Sequence, residues 1–289
     1  MVAREIGYDM PGGWGQGDAA TQDAFRPIET FEDRFDALLE EVAALGFDAI
    51  DLWTAHLHYA WATPEHIAIA RRLLETRKIR IVSYAGGFGE SIAEFRGACR
   101  LCNALDIPVL GGSTPLLTSH RSEVVEALRA SGMLLAYENH PEKSVDEILA
   151  KLGEGDEDVI GVTLDTGWLA TNGVDVAAAL RALAPRLMHL HLKDVKAPGA
   201  EKTGYPMVDM GHATCQLGEG VVPVEECVML LPEIGYEGVI SIEHEPEDYD
   251  PHDEISAGAV AVRGWQAGYP PTEATLTTQA PCRIRPSPM

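Results

Sequence analysis

The chain has 289 residues, 46% of them hydrophobic and 23% charged, a globular composition at a length that suits one α/β barrel of about 250 residues. Its 22 Lys and Arg against 45 Asp and Glu give a formal net charge of −23, which disfavours nucleic-acid backbones and anionic membrane surfaces as partners. No apolar run approaches the ~20 residues that span a bilayer. The N-terminus runs from Met1 straight into a polar, Gly-rich stretch without the form of a signal peptide, and five scattered cysteines fit reduced thiols in a cytoplasmic protein.

Along the chain, short apolar runs of strand length alternate with stretches of helical period. The first run is Glu5–Asp9, and the Gly-rich segment after it, from Gly12 to Gly17, reads as a flexible lid that offers Trp14 to a substrate. Phe31, Phe35, Leu38, Leu39, Val42 and Leu45 fall on one helix face. The next strand is Ala49–Trp53. The loop beyond it, to Trp61, gathers aromatics and histidines suited to stacking on a sugar, with His58 the favoured contact. Thr63 and Pro64 form a cap and first helical position, and Ile67, Ala70, Leu73 and Leu74 face inward behind them. After strand Arg80–Tyr84, Phe95, Ala98, Cys99, Cys102 and Leu105 mark a helix whose two cysteines belong to core packing rather than to zinc or redox work.

Strand Ile107–Gly111 ends in Gly111, Gly112 and Ser113, read as a tight turn, and Val124, Val125 and Leu128 mark the helix that follows. Strand Leu134–Glu138 precedes a helix carrying Ile148, Leu149 and Leu152. Strands Ile160–Asp165 and Leu187–Lys193 flank helix Ala177–Leu183, and strand Val239–Glu243 lies between helices at Val228–Ile234 and Ile255–Trp265. Eight strands, each followed by a helix, with no Gly-x-Gly-x-x-Gly after the first, predict a (β/α)₈ TIM barrel over residues 1–265. Residues 266–289 carry five prolines and no apolar period, and read as an irregular Pro-rich tail.

A barrel enzyme works at the C-terminal ends of its strands. Four consecutive runs end in acids or histidines: Tyr137 to His140, Thr163 to Trp168, Met188 to Asp194, and Ser241 to Glu245. One inward group from each gives Glu138, Asp165, His191 and Glu243. Three carboxylates and one imidazole make a hard, oxygen-rich donor set that suits Mn²⁺, Mg²⁺ or a related divalent ion such as Co²⁺ better than structural Zn²⁺. The two-residue strand period also puts His140 on the face of Glu138, and Lys193 on the face of His191. His189 reads as packing inside the barrel or supporting a ligand.

The phrases around Glu138, Asp165 and His191, the Leu217–Gly220 motif, and the run from Gly235 to Glu243 resemble the xylose-isomerase-like superfamily of sugar isomerases, epimerases and inosose dehydratases. The resemblance covers most of residues 4–265. It implies a (β/α)₈ barrel with one divalent metal on Glu138, Asp165, His191 and Glu243, acting on a ketose or cyclic ketone. It also implies proton movement at the carbon beside the carbonyl, where a Lewis acid stabilises the enediolate and a carboxylate or histidine takes the proton. The catalytic candidates are His140, Glu138, Glu243 and Lys193, with His58, Trp14 and Trp168 against the substrate.

Two departures favour elimination. Ketose epimerases of this superfamily carry a histidine where this chain has Trp168 and an arginine where it has Ala197. The chain instead has the His-Leu-Lys-Asp form found in inosose dehydratases, and C-glycoside deglycosidase large subunits, which work with a small second subunit, are also related. The expected function is a metal-dependent lyase on an unphosphorylated keto-sugar or cyclitol, working as a homo-oligomer or with such a subunit. Ketose 3-epimerisation or aldose–ketose isomerisation is the alternative. An endonuclease IV-like nuclease fits poorly, because strands three and four lack its extra ligands, and a non-catalytic binding subunit would not need the complete ligand set.

Overall fold

The computed structural model of the chain describes residues 6–7, 13–140, 142–197, 213–246 and 249–268. Its first long element is helix α1 (Gly13–Phe25), so the glycines expected to form a lid open a helix instead. Ala19, Ala20, Gln22 and Ala24 are strong helix formers, and Phe25 is buried in the core. The Trp61 indole donates to Gln22 at 3.1 Å, which ties α1 to the loop after the first strand of the sheet. Helix α2 (Ile28–Ala44) buries Phe31, Phe35, Leu38, Leu39 and Val42, the face its periodicity indicates.

The strands are β1 (Ala49–Trp53), β2 (Arg80–Gly87), β3 (Val109–Ser113), β4 (Leu134–Glu138), β5 (Ile160–Asp165), β6 (Leu187–Leu192), β7 (Asp194–Val195), β8 (Thr214–Cys215) and β9 (Ile240–Ile242). Seven of them form one sheet in the order β1-β2-β3-β4-β5-β6-β9, every pair parallel. Apart from the single helical turn Leu116–Ser119, the remaining α-helices are α3 (Pro64–Arg77), α4 (Ile92–Ala104), α5 (Arg121–Ser131), α6 (Val145–Leu152), α7 (Thr166–Thr171), α8 (Val176–Leu183), α9 (Val224–Glu233) and α10 (His252–Gly268).

This is a TIM barrel, nearly closed among the described residues. The strand expected at Glu5–Asp9 falls outside them except for Ile6 and Gly7, which lie in a turn. The strand expected to reach Lys193 stops at Leu192, because the chain turns there into the small antiparallel β7–β8 pair. Of the expected irregular tail, residues 266–268 complete α10, and the rest lie outside the described part.

Local chemistry explains most boundaries. Thr63 caps α3: its hydroxyl accepts from the His66 amide, and His66 Nδ1 accepts from the Thr63 amide at 3.2 Å, a capping box with histidine in the usual place of glutamate. Strand β5 is buried at every residue, as parallel strands covered on both faces must be. Cys99 and Cys102 are buried in α4 beside Phe95 and Ala98, in the core as expected. Leu149, placed on the inward face of α6 by period, is instead exposed.

Gly111 and Gly112 are strand residues of β3 and not a turn. A Cβ on Gly111 would lie 2.2 Å from Ser83 Oγ, and one on Gly112 would lie 2.0 Å from the Gly86 carbonyl oxygen. The β2–β3 contact therefore requires glycine. Gly112→Ala is expected to destabilise the protein by about 1–3 kcal/mol through forced backbone displacement. Urea unfolding checks this, and an unchanged midpoint would contradict the contact.

Candidate active site

Glu138 and Asp165 are the last residues of β4 and β5, His191 is in β6, Lys193 lies just past β6, and Glu243 just past β9. All five stand at the C-terminal mouth of the barrel. Asp165 divides its two oxygens. Oδ1 caps α7, accepting from the Gly167 and Trp168 amides at 2.7 and 3.1 Å. Oδ2 is left to the site, 3.1 Å from His140 Nε2 and 3.6 Å from Lys193 Nζ. Asn139 locks the ends of β4 and β5 together, accepting from the Asp165 amide at 2.7 Å and donating to its carbonyl at 3.1 Å.

The His191 ring is the hub. Its Nδ1 lies 2.7 Å from both Glu138 Oε1 and Glu243 Oε2, and its Nε2 lies 3.2 Å from Asp51 Oδ2. The Lys193 ammonium lies 2.9 Å from Glu243 Oε1 and 2.6 Å from Glu245 Oε2. Its aliphatic stem passes over Gly167, where a Cβ would lie 2.9 Å from Lys193 Cγ.

Charge is balanced locally. Burial opposes charge on Lys193, but Glu243, Glu245 and Asp165 outweigh it and hold its pKa well above the ordinary lysine value. Burial likewise opposes the imidazolium of His191, and Glu138 and Glu243 overcome it. Burial also acts against the charge on Glu243, yet Lys193 and His191 pull its carboxyl well below the usual range. Glu245 is the contrast: burial and the neighbouring Glu243 push it up to about 8, despite Lys193. His140 is shifted upward, because Asp165 and Glu138 outweigh the burial that would lower it.

Two overlapping sets could hold a cation, Glu138–His191–Glu243 and Glu138–His140–Asp165, each with donor atoms within 4.8 Å of one another. A third, Asp51–His189–His191, meets the same criterion deeper in the barrel. Of the four ligands read from the sequence, Glu138, His191 and Glu243 fall in one set and Asp165 falls in the other with His140, Glu138 being shared. Glu243 Oε2 has no hydrogen-bond partner, although it is buried and the His191 ring stands beside it. A buried carboxylate oxygen that makes no hydrogen bond and has only the His191 ring beside it, in a set of hard donors, fits a divalent cation.

The other expected residues are placed unevenly. Trp168 packs on His140 with ring centroids 4.3 Å apart, so it walls the site. His58 is half-buried on the β1 loop against Tyr59, with centroids 4.1 Å apart, and its contacts are with that loop and not with the carboxylates. The Trp14 side chain lies outside the described residues. Sequence reading missed Asp51, Asn139 and Glu245 as site residues. Asp51 was visible as the one charge within an apolar strand, and Glu245 as the residue two positions beyond Glu243. His244, between them, turns away to Glu254, which Tyr249 also bonds at 2.7 Å.

Asp194 fixes the neighbouring loop. It accepts from the amides of Val195, Gly218, Gly220 and Val222 at 2.9 to 3.0 Å, which accounts for the Leu217–Gly220 motif.

A family model described as Xylose isomerase-like TIM barrel matches residues 39–263. The chain belongs to this family. An inosose dehydratase from Clostridium beijerinckii is 32% identical over 125 residues, which span 40% of this chain and 42% of that relative. Another, from Klebsiella pneumoniae strain MGH 78578, is 25% identical over 75% of this chain and 84% of its own length. Among solved structures, the IOLI protein with a binding zinc atom superposes with a TM-score of 0.63 at 17% identity, covering 82% of this chain and 93% of that one. A xylose isomerase-like TIM barrel protein from Mycobacterium smegmatis in complex with magnesium also gives 0.63 at 17% identity, over 84% and 90%.

Lys193→Met leaves the buried acids without their ammonium. Glu243, with its pKa depressed, stabilises the fold above the ordinary glutamate range and loses that contribution as pH falls. The variant is therefore expected to lose about 3–5 kcal/mol from pH 8 down to about pH 4.5, and less only as the pH falls below the ordinary glutamate range. Thermal melts in chelator from pH 8 to below that range check this, and a loss that stays undiminished at the lowest pH would contradict the charge assignment.

Proposed function

We propose that this protein is a divalent-metal-dependent enzyme that removes a proton from the carbon beside the ketone of a sugar or cyclitol and completes an elimination. The observation that supports the reading is the grouping of Glu138, His191 and Glu243 at the barrel mouth, with Asp165 in an adjoining set that shares Glu138, and with a buried Glu243 oxygen that makes no hydrogen bond. These four residues would hold the cation, with Mn²⁺ favoured and Mg²⁺ or Zn²⁺ compatible with the same donors. When bound there, the cation supplies Lewis acidity toward the substrate carbonyl.

The chain's own groups supply the proton chemistry. His140 Nε2 faces Asp165 Oδ2 at 3.1 Å, so a neutral ring donates there and presents Nδ1 as its basic nitrogen. About one third of the His140 side chain is exposed, and Trp168 fixes its plane. His140 can therefore take a proton from bound substrate. Lys193 stabilises negative charge as it develops on the ketone oxygen. Trp168 and its neighbours limit water at the reacting carbon.

Elimination is favoured over epimerisation by Trp168 and Ala197, which replace the histidine and arginine of ketose epimerases. The inosose dehydratase relatives spanning 75% of the chain support the same choice. An inosose isomerase from Halalkalibacterium halodurans, 27% identical over 56% of this chain, keeps isomerisation as the second reading. In that reading Glu243 is the second base. Four buried free thiols, Cys99, Cys102, Cys215 and Cys227, suit a cytoplasmic enzyme.

The test is solvent deuterium uptake at the substrate α-carbon during turnover of inososes, keto-sugars and 3-keto-glycosides with Mn²⁺ supplied. Wild type is expected to show exchange or a primary isotope effect and to release an unsaturated ketone. His140→Ala is expected to lower the rate by about 10²–10⁴-fold. Turnover without either α-proton signature would refute the mechanism, and an epimer or isomer as product would select the second reading.

A further inference from the structure

Beneath the site, Asp51 Oδ2 lies 2.8 Å from His189 Nε2 and 3.2 Å from His191 Nε2. The three side chains come from β1 and β6, more than a hundred residues apart in sequence, and all are largely buried. Ser241 Oγ on β9 lies 3.2 Å from the same His189 nitrogen. Both strands change register here: the β1–β2 ladder shifts between Ile50 and Asp51, and the β5–β6 ladder shifts between Val162 and Thr163, just before Thr163 pairs with His189. Register shifts of this kind re-aim a side chain.

A carboxylate oxygen only accepts hydrogen bonds, so both imidazoles must present Nε2–H to Asp51. For His191 this leaves one consequence. With Nε2 protonated, the neutral ring has its lone pair on Nδ1, the atom that points between Glu138 and Glu243. We propose that Asp51 is the positioning residue that fixes the tautomer and orientation of His191 for metal binding, and that His189 and Ser241 hold Asp51 in place. The proposal rests on His191 being a metal ligand. An acid behind a ligating histidine raises the basicity of the ring and restrains its rotation, and loss of such a partner typically costs about 10–100-fold in metal affinity.

His189 has a purpose in this arrangement that packing alone does not give it. It shares the Asp51 oxygen with His191, and its own side chain lies two residues from His191 on the same strand face. An amide at position 51 keeps one accepting oxygen but removes the negative charge that polarises the His191 ring, and its NH₂ can compete for the same place.

The experiment uses the purified full chain, stripped of metal and titrated with Mn²⁺ alone, followed by the free-ion electron paramagnetic resonance signal. Wild type is expected to bind one equivalent. Asp51→Asn should bind about 10–100-fold more weakly, while thermal melts in chelator show that it is folded. His189→Gln should produce a smaller loss in the same direction. Should Asp51→Asn fail to fold, wild type loaded with Zn²⁺ decides: the two-bond ¹H–¹⁵N spectrum should show the His191 ring protonated at Nε2.

A folded Asp51→Asn with wild-type Mn²⁺ affinity, or a zinc-loaded His191 protonated at Nδ1, would overturn the positioning role and leave the metal reading intact. Two equivalents of Mn²⁺ in wild type, one of them lost in His189→Gln, would put a second ion on Asp51, His189 and His191 and would also overturn it. No uptake by wild type would overturn the metal reading and this proposal together.

Discussion

A buried carboxylate costs several kcal/mol unless a countercharge or a set of donors meets it, and this barrel gathers Glu138, Asp165, Glu243 and Glu245 at one mouth. The close cationic groups are Lys193 and the imidazoles of His140 and His191. Much of the surrounding structure distributes that charge. Asp165 places one oxygen on the first amides of α7 and leaves the other to the site. Lys193 stands among three acids, over a glycine that lets its stem approach. Glu243 Oε2 is buried without a hydrogen bond, with the His191 ring beside it. A cation at this point, as proposed, would relieve the repulsion that the side chains alone share out imperfectly.

The scaffold makes the cluster possible because each acid is anchored outside it. Asn139 clasps the backbone of Asp165, so the ends of β4 and β5 move as one. Asp194 accepts four amides from its own hairpin and from the Leu217–Gly220 turn, which braces the chain just beyond Lys193. Below, Asp51 and His189 fill the barrel interior with hydrogen bonds where a core would otherwise hold aliphatic side chains. Asp51 Oδ2 carries both contacts, while its Oδ1 is buried without a hydrogen bond, and the register shifts help to aim this layer.

Much of this was legible in the sequence, for a definite reason. Parallel strands buried on both faces read as unbroken apolar runs, so an acid or histidine at their ends stands out; Glu138, Asp165, His191 and Glu243 are singled out that way, and all four lie at the barrel mouth. Asp51 escaped because it sits in mid-strand, where a single charge looks like one outward position of an alternating pattern. Its inward aim depends on a register shift that periodicity does not encode. Glu245 escaped because β9 is short and the path beyond it is set by packing. The segment from Gly13 misled through its glycines, whose low helix propensity was outweighed by Asp18 to Phe25. Gly111 and Gly112 misled in the opposite sense, since the spacing between β2 and β3, and not a turn, demands them.

The most direct measurement is anomalous diffraction at the manganese edge from crystals of the full chain grown with Mn²⁺. The account predicts a single strong peak coordinated by Glu138, Asp165, His191 and Glu243, with Glu243 Oε2 among its ligands. A peak on the His140 set or on Asp51 and His189 instead, or no peak at the barrel mouth, would contradict it.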